Sequence, residues 1–97
     1  MATYVILSTI SPHMFKEPAE FPKVAHTVAR KIKEECPNVK WLQSYALMGC
    51  YDVIDIIEAP TIAEVEKASL LIRTYGGAST QTLPATPWHD FLEAMAK

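Results

Sequence analysis

Few side chains in this sequence combine a reactive type with a spacing that could form a binding or catalytic site. The densest group is Tyr51 and Asp52, which follow a glycine in a short predicted turn. His13 lies in the long segment after the first predicted strand, and Tyr75 lies at the end of a predicted helix. Phenol, carboxyl and imidazole groups could orient a small ligand if the fold brought them to one mouth between a sheet and its helices. His13, Tyr51, Asp52 and Tyr75 are therefore candidate ligand-binding residues.

Asp55 is a fifth candidate, because it lies inside an otherwise apolar predicted strand. On a dry sheet face its carboxyl group needs a hydrogen-bond partner, such as Ser44 across a hairpin. In a barrel interior it could instead orient a ligand or act as a base with a raised pKa. We favour the hydrogen-bonded structural role, because the sequence places no second catalytic group beside Asp55.

Asp52, Tyr51 and His13 could each have a structural role instead of a ligand-binding role. Asp52 could cap the turn with its carboxylate, Tyr51 could pack on the hairpin, and His13 could be a solvated loop residue. Because turn motifs concern backbone geometry at least as often as chemistry, we favour the structural interpretation for all three.

The cysteines and histidines predict neither a metal site nor a cofactor. Cys36 and Cys50 form no C-x-x-C pair, and the predicted fold separates them beyond the roughly 7 Å that a disulfide can bridge. We expect both to be free thiols. His13, His26 and His89 are scattered over the predicted topology, which argues against metal binding.

Size and charge narrow the class of protein. A chain of 97 residues with 49% hydrophobic content suits one domain over residues 1–97. The net charge of −2, without a basic tract, argues against nucleic acid and anionic membrane as partners. We also expect a cytoplasmic protein, since the start lacks a signal-peptide pattern and no apolar run approaches the roughly 18 residues of a membrane span.

The hydrophobic periodicity predicts the order β-α-β-β-α-β with a tail helix. We predict strands over residues 3–10, 39–47, 51–58 and 78–83, long helices over 22–36 and 61–75, and a short helix over 87–96. This order is typical of an α+β, ferredoxin-like fold with a four-stranded antiparallel sheet and helices on one face.

Local signals set the element boundaries. Gly49 is expected to supply the positive φ of a tight hairpin, and Thr61 to cap the second helix with Glu64 three residues on. Gly76-Gly77 predicts a left-handed end to that helix. Pro84 should stop the last strand and place it at a sheet edge.

Two apolar surfaces are left without a cover in this fold. The first strand is apolar on nearly every position, so it should be buried on both faces, yet helices cover only one. A second subunit is the obvious cover for the other face. The tail helix carries its own apolar stripe, which consists of Trp88, Phe91, Leu92 and Met95.

The turn and its flanks resemble the GYD domain family. The motif is Gly49-Cys50-Tyr51-Asp52, and residues 56–60, residues 80–85 and Phe91 resemble the family's following strand and C-terminal segment. The resemblance implies a ferredoxin-like subunit that pairs sheet to sheet into a dimeric α+β barrel, in a prokaryotic family largely without assigned activity. Asp55 and the loop around His13 depart from the family's pattern.

Three functions are compatible with these features. The first is a homodimeric small-molecule-binding or regulatory barrel without metal or cofactor. The second is a cofactor-free enzyme, similar to a monooxygenase or an isomerase, in which His13, Tyr51, Asp52 or Asp55 would manage protons on a small aromatic or lactone substrate. The third is a structural assembly module.

Overall fold

The computed structural model describes all 97 residues, Met1–Lys97. Four strands, three α-helices and a 3-10 turn follow the predicted order closely. In chain order they are β1 (Ala2–Ile10), the 3-10 turn (Pro18–Glu20), α1 (Phe21–Glu35), β2 (Lys40–Ala46), β3 (Val53–Ala59), α2 (Ile62–Gly76), β4 (Ala78–Ala85) and α3 (Trp88–Met95).

The four strands form one antiparallel sheet in the order β2-β3-β1-β4. This arrangement confirms the predicted α+β, ferredoxin-like fold. The core lies between the sheet and α2, where Ile6 and Ile57 of the inner strands are fully buried with Val65 and Ala68 of α2. Alternation along each inner strand explains this, because every second side chain points to the helix-facing side.

The predicted ends of α2 are confirmed. The Thr61 hydroxyl accepts a hydrogen bond from the Glu64 backbone N–H at 3.4 Å, which satisfies one of the free donors in the first turn. At the other end Gly77 adopts φ 61°, the left-handed conformation that ends many helices.

Two boundary predictions are wrong. Strand β4 continues through Pro84, which pairs with Tyr4, because an edge strand tolerates a missing N–H that points away from its neighbour. Gly49 has no positive φ, since Gly77 is the one residue of the chain that does. The connection from β2 to β3 spans residues 47–52, and a loop of that length does not need the geometry of a two-residue hairpin.

Helix α1 stands away from the sheet. It packs on α2 and the 3-10 turn, and no Cα atom of α1 lies within 8 Å of a Cα atom in any strand. Every residue of β2, the edge strand on this side, is consequently exposed. The gap between α1 and the sheet becomes the main cavity of the molecule.

The side of the sheet away from the helices is uncovered, and we call it the open face. Val5 and Leu7 of β1 point to the open face and are only half-buried in the single chain, so burial of β1 on both faces would need a further cover and stays a prediction. Their neighbours there are apolar residues of β3 and β4, namely Ile54, Ile56 and Leu83. Helix α3 approaches no other helix or strand, and its apolar stripe is exposed.

Gly77 has a positive φ and Gly49 does not, so the same substitution at both positions tests the backbone geometry. We expect Gly77→Ala to lower the free energy of unfolding by about 1–2 kcal/mol, because alanine is strained at positive φ. Its added Cβ would also meet Met14 Sδ at 2.5 Å. Gly49→Ala should change stability by less than about 0.5 kcal/mol, since a Cβ there meets no atom within 4 Å. Urea unfolding followed by circular dichroism measures both, and equal losses would contradict the assigned backbone geometry.

Candidate functional site

A cleft of about 1320 Å³ lies between α1 and the sheet. Most of its wall is apolar, since 18 of its 26 lining residues are hydrophobic. Val24, Val28 and Ile32 line it from α1, and Phe15 and Phe21 line one end. Ligand pockets typically measure about 300–1000 Å³, so the cleft has room for a small organic molecule.

A three-residue polar network lies in this apolar cleft. The hydroxyl of Ser44 donates to Asp55 Oδ1 at 2.5 Å, and Trp41 Nε1 donates to the same oxygen at 3.1 Å. Trp41 Nε1 also lies 2.9 Å from the Ser44 hydroxyl oxygen. The expected partnership between Asp55 and Ser44 is therefore present, and Trp41 joins it.

A β-bulge makes this network possible. Ser44 pairs directly with Asp55, so strict alternation along β2 would turn Trp41, three residues earlier, to the opposite face. The register shifts between Trp41 and Gln43, which inserts one residue and returns Trp41 to the face of Ser44. An irregular register leaves no mark in the apolar pattern, so the sequence does not reveal that Trp41 and Ser44 share a face.

Asp55 is 7% exposed, and its burial raises the pKa of the carboxyl group. The hydrogen bonds from Ser44 and Trp41 act in the opposite direction, because they favour the ionised form, but burial outweighs them. Both donors use Oδ1, and Oδ2 makes no hydrogen bond within the chain. The second carboxyl oxygen is therefore available to a ligand.

Ser8 is a second polar group of the cleft, and sequence reasoning missed it. Its side chain is 3% exposed, and Oγ has no hydrogen-bond partner. Ser8 follows Ile6 by two residues on β1, so it points to the same helix-facing side. A serine within a run of apolar and threonine residues has an ordinary strand composition, which is why no sequence signal marked it.

Asp52 lines the cleft just before β3, where its hydrogen bonds connect it to β1 and to the beginning of the β2–β3 loop. Its Oδ2 accepts a hydrogen bond from the Ile10 backbone N–H at 2.7 Å, and its own N–H donates to the Ser8 carbonyl oxygen at 2.8 Å. Its carbonyl oxygen accepts from the Leu47 N–H at 2.8 Å. These contacts extend the β1–β3 pairing beyond the strands.

The other three predicted ligand-binding residues lie outside the cleft. Tyr51 donates a 2.6 Å hydrogen bond to Gln81 Oε1, and Gln81 pairs with Leu7, whose side chain points to the open face. His13 is exposed in its loop. Tyr75 lies under Lys31, whose Nζ is 5.3 Å from the centre of the tyrosine ring. Of the five candidates, the structure brings only Asp52 and Asp55 to the cleft, and a ligand role for the others stays a prediction.

The turn therefore places Asp52 beside the β1–β3 pairing and Tyr51 at the open face. A family model described as the GYD domain matches residues 4–95. The chain belongs to the GYD domain family. The match includes all four strands and the cleft, so the resemblance predicted from the sequence is confirmed over nearly the whole chain.

A relative of this GYD domain protein carries a functional name. The protein of Thermus thermophilus named "Glutamine synthetase and cystathionine beta-lyase binding protein" is 28% identical over 92 residues. The aligned region covers 95% of this chain and 96% of the relative. The two proteins are therefore similar from end to end, and the relative is named as a protein that binds other proteins.

The remaining reactive side chains of the GYD domain protein lie apart. Burial raises the pKa of the Cys36 thiol at the far end of the cleft, and nearby Lys67 only partly opposes this. Cys50 is exposed. No three His, Cys, Asp or Glu side chains are grouped so that they could hold a metal ion. Among the helices, none is both long enough and apolar enough to cross a membrane.

A second, smaller cavity of about 370 Å³ lies between α2 and β4. Arg73 occupies its wall and donates from Nε to the Thr80 hydroxyl at 2.7 Å and from Nη2 to the Thr80 carbonyl oxygen at 3.0 Å. Ser69 and Thr82 share a 2.6 Å hydrogen bond beside it. The polar groups of this groove largely satisfy one another, so the cleft is the stronger candidate site.

The substitution Asp55→Asn tests the raised pKa of Asp55 through the pH dependence of the free energy of unfolding. Between the unfolded pKa of about 3.9 and the raised pKa of the folded state, the unfolded chain loses the Asp55 proton while the folded chain keeps it, so the contribution of Asp55 to stability falls as the pH rises across this window. Asparagine keeps an oxygen for Ser44 and Trp41 and does not titrate. We therefore expect the stability of Asp55→Asn relative to wild type to increase from pH 4 to pH 7.

Urea unfolding at several pH values measures this difference. Asp90→Asn, at an exposed aspartate of α3, is the matched control against which the profile is compared. A profile for Asp55→Asn that does not rise relative to this control would contradict the raised pKa of Asp55.

Proposed function

We propose that this GYD domain protein is a homodimeric regulatory protein that binds a small molecule in the cleft between α1 and the sheet. The observation that carries the proposal is a large apolar cleft with a buried, incompletely bonded carboxyl group, Asp55, in its wall. Concave, mostly apolar sites with a few convergent polar groups and a residue of shifted pKa are typical of ligand sites.

The open face supports the homodimer. Val5, Leu7, Ile54 and Ile56 form a continuous apolar surface on neighbouring strands, and Leu83 at its edge is 46% exposed. Apolar patches of this kind are usually covered by a partner. Pairing of two open faces would give the dimeric α+β barrel that the family resemblance implies.

Binding accounts for the cleft better than catalysis does. Within the chain Asp55 has only Ser44 and Trp41 as hydrogen-bond partners, and neither His13 nor Tyr51 lines the cleft. Burial disfavours the thiolate form of Cys36, which a nucleophile would need. Of the candidates, Asp52 also lines the cleft, but its carboxylate accepts a hydrogen bond from the Ile10 backbone N–H and so already has a structural role. A cofactor-free enzyme would need a second proton-transfer group without such a role.

A second candidate function is direct binding to a larger enzyme. The name of the Thermus thermophilus relative favours it, and the exposed apolar stripe of α3 offers a surface for such a partner. The two functions are compatible, because a regulatory protein can use one surface for its target and a separate cleft for a small effector.

Filling the cleft tests ligand binding. Nile red, a neutral apolar dye whose fluorescence rises in apolar surroundings, should bind the wild-type protein. Ala25→Phe, which places a ring in the cleft, should weaken dye binding about tenfold or more, corresponding to about 1.4 kcal/mol. Ala63→Phe makes the same change at an exposed position of α2 outside the cleft and should leave binding unchanged. Equal dye binding by all three proteins would place the dye elsewhere and contradict a ligand site in the cleft.

Light scattering coupled to size exclusion tests the homodimer. At micromolar concentration we expect twice the 10.8 kDa mass of one chain. Leu83→Glu puts a charge on the open face and should give a monomer, whereas Leu70→Glu, at a leucine of α2 that is 60% exposed, should stay dimeric. A wild-type monomer, or a dimer that Leu83→Glu leaves intact, would contradict dimerisation through the open face.

A further inference from the structure

Ser8 carries an unpaired hydroxyl group at the centre of the sheet. Its Oγ is buried without a hydrogen-bond partner, although nearly all buried polar groups in proteins have one. Leaving such a group unpaired makes the folded state less stable. Alanine would fit the same strand position without that cost, so the hydroxyl suits a partner that the chain itself does not supply.

Asp55 offers a second unused group to the same space. Both donors that reach the carboxyl group bind Oδ1, which leaves Oδ2 without a partner in the chain. Ser8 and Asp55 both line the cleft. The polar wall therefore contains one hydroxyl group and one carboxyl oxygen that have no hydrogen-bond partner within the chain.

The sheet register places these two groups together. Ser8 pairs with Val53, and Asp55 lies two residues further along β3 on the same face. Diagonal neighbours of this kind lie about 7–8 Å apart along an antiparallel pair. A single polar atom held between the two side chains can reach both, because each hydrogen bond spans about 2.7–3.0 Å and both side chains extend from the same face of the sheet.

The charged and polar groups of the cleft wall indicate which polar group a ligand would carry. A carboxylate ligand would meet Asp55, and the one cationic lining residue is Lys33. An ammonium group offers three donors and no acceptor, so the Ser8 hydroxyl would keep its proton unpaired. A neutral hydroxyl group donates one hydrogen bond and accepts another, which satisfies both wall groups without bringing a charge into an apolar cleft.

We propose that the cleft binds a neutral, largely apolar molecule through a hydroxyl group, which donates to Asp55 Oδ2 and accepts from the Ser8 hydroxyl. The proposal rests on ligand binding in the cleft and adds the chemical class of the ligand. Ser8 and Asp55 are its polar contacts, and the apolar side chains of α1 contact the remainder of the molecule.

Displacement of Nile red by three matched naphthalenes tests the proposal. 2-Naphthol should displace the dye from the wild-type protein at a concentration at least about tenfold lower than naphthalene, because its hydroxyl group adds the two proposed hydrogen bonds. 2-Aminomethylnaphthalene, a cation at neutral pH, should be weaker than 2-naphthol. Calorimetric titration of 2-naphthol gives the same affinity without the dye.

Ser8→Ala provides the decisive variant. It should reduce the preference for 2-naphthol over naphthalene to less than about threefold and leave naphthalene binding unchanged. It should also raise the urea midpoint of the ligand-free protein, because it removes an unpaired buried hydroxyl group. Ser79→Ala, at an exposed serine of β4 outside the cleft, should change neither quantity.

The outcomes separate the two proposals. If neither Nile red nor 2-naphthol binds the wild-type protein, the cleft is not a ligand site and both proposals fail. If the dye binds but naphthalene competes as well as 2-naphthol, or the amine competes better, only the hydroxyl-ligand proposal fails. A preference for 2-naphthol that survives Ser8→Ala would remove Ser8 from the site and overturn the proposed contact.

Discussion

The packing of α2, and not α1, against the sheet is the constraint on which the rest of the structure depends. Val65 and Ala68 bury one face of α2 on the central strands, and α1 is held mainly by α2. The half of the sheet next to β2 therefore has no close cover on the helix side. A chain of this size can bury only a limited apolar area, so leaving half of the sheet uncovered makes the folded state less stable. Exposed apolar surfaces of this kind often mark interaction sites, which is why we interpret the cleft as functional.

The cleft combines a mostly apolar wall with a few buried polar groups. The bulge in β2 turns Trp41 toward Ser44, and together they hold one oxygen of Asp55. Holding one oxygen fixes the orientation of the carboxyl group and leaves the other oxygen free. The free energy lost by burying Asp55 and Ser8 without full hydrogen bonding can be recovered when a ligand binds, which is a common compromise between stability and function.

Much of the fold could be predicted because local and long-range signals agree. The caps at Thr61 and Gly77 and the apolar periodicity of the strands indicated the element order, and the resemblance of the Gly49-Cys50-Tyr51-Asp52 turn and its flanks indicated the family. The site was harder to predict. Asp55 was visible as a charge within an apolar strand, but Ser8 has an ordinary composition, and the position of Trp41 depends on a bulge that alternation cannot reveal. The hydrogen bond from Tyr51 to Gln81 could not be predicted either, since a sequence indicates the position of a turn but not the direction of its side chains.

Intermolecular nuclear Overhauser effects between 2-naphthol and the methyl groups of the protein test the central claim most directly. The cleft and the open face present different methyl groups, so the ligand protons report which side of the sheet they contact. A ligand in the cleft should give effects to Val24, Val28 and Val53, which line it. Effects to Leu7, Ile56 and Leu83 on the open face, with none to the cleft residues, would contradict the account.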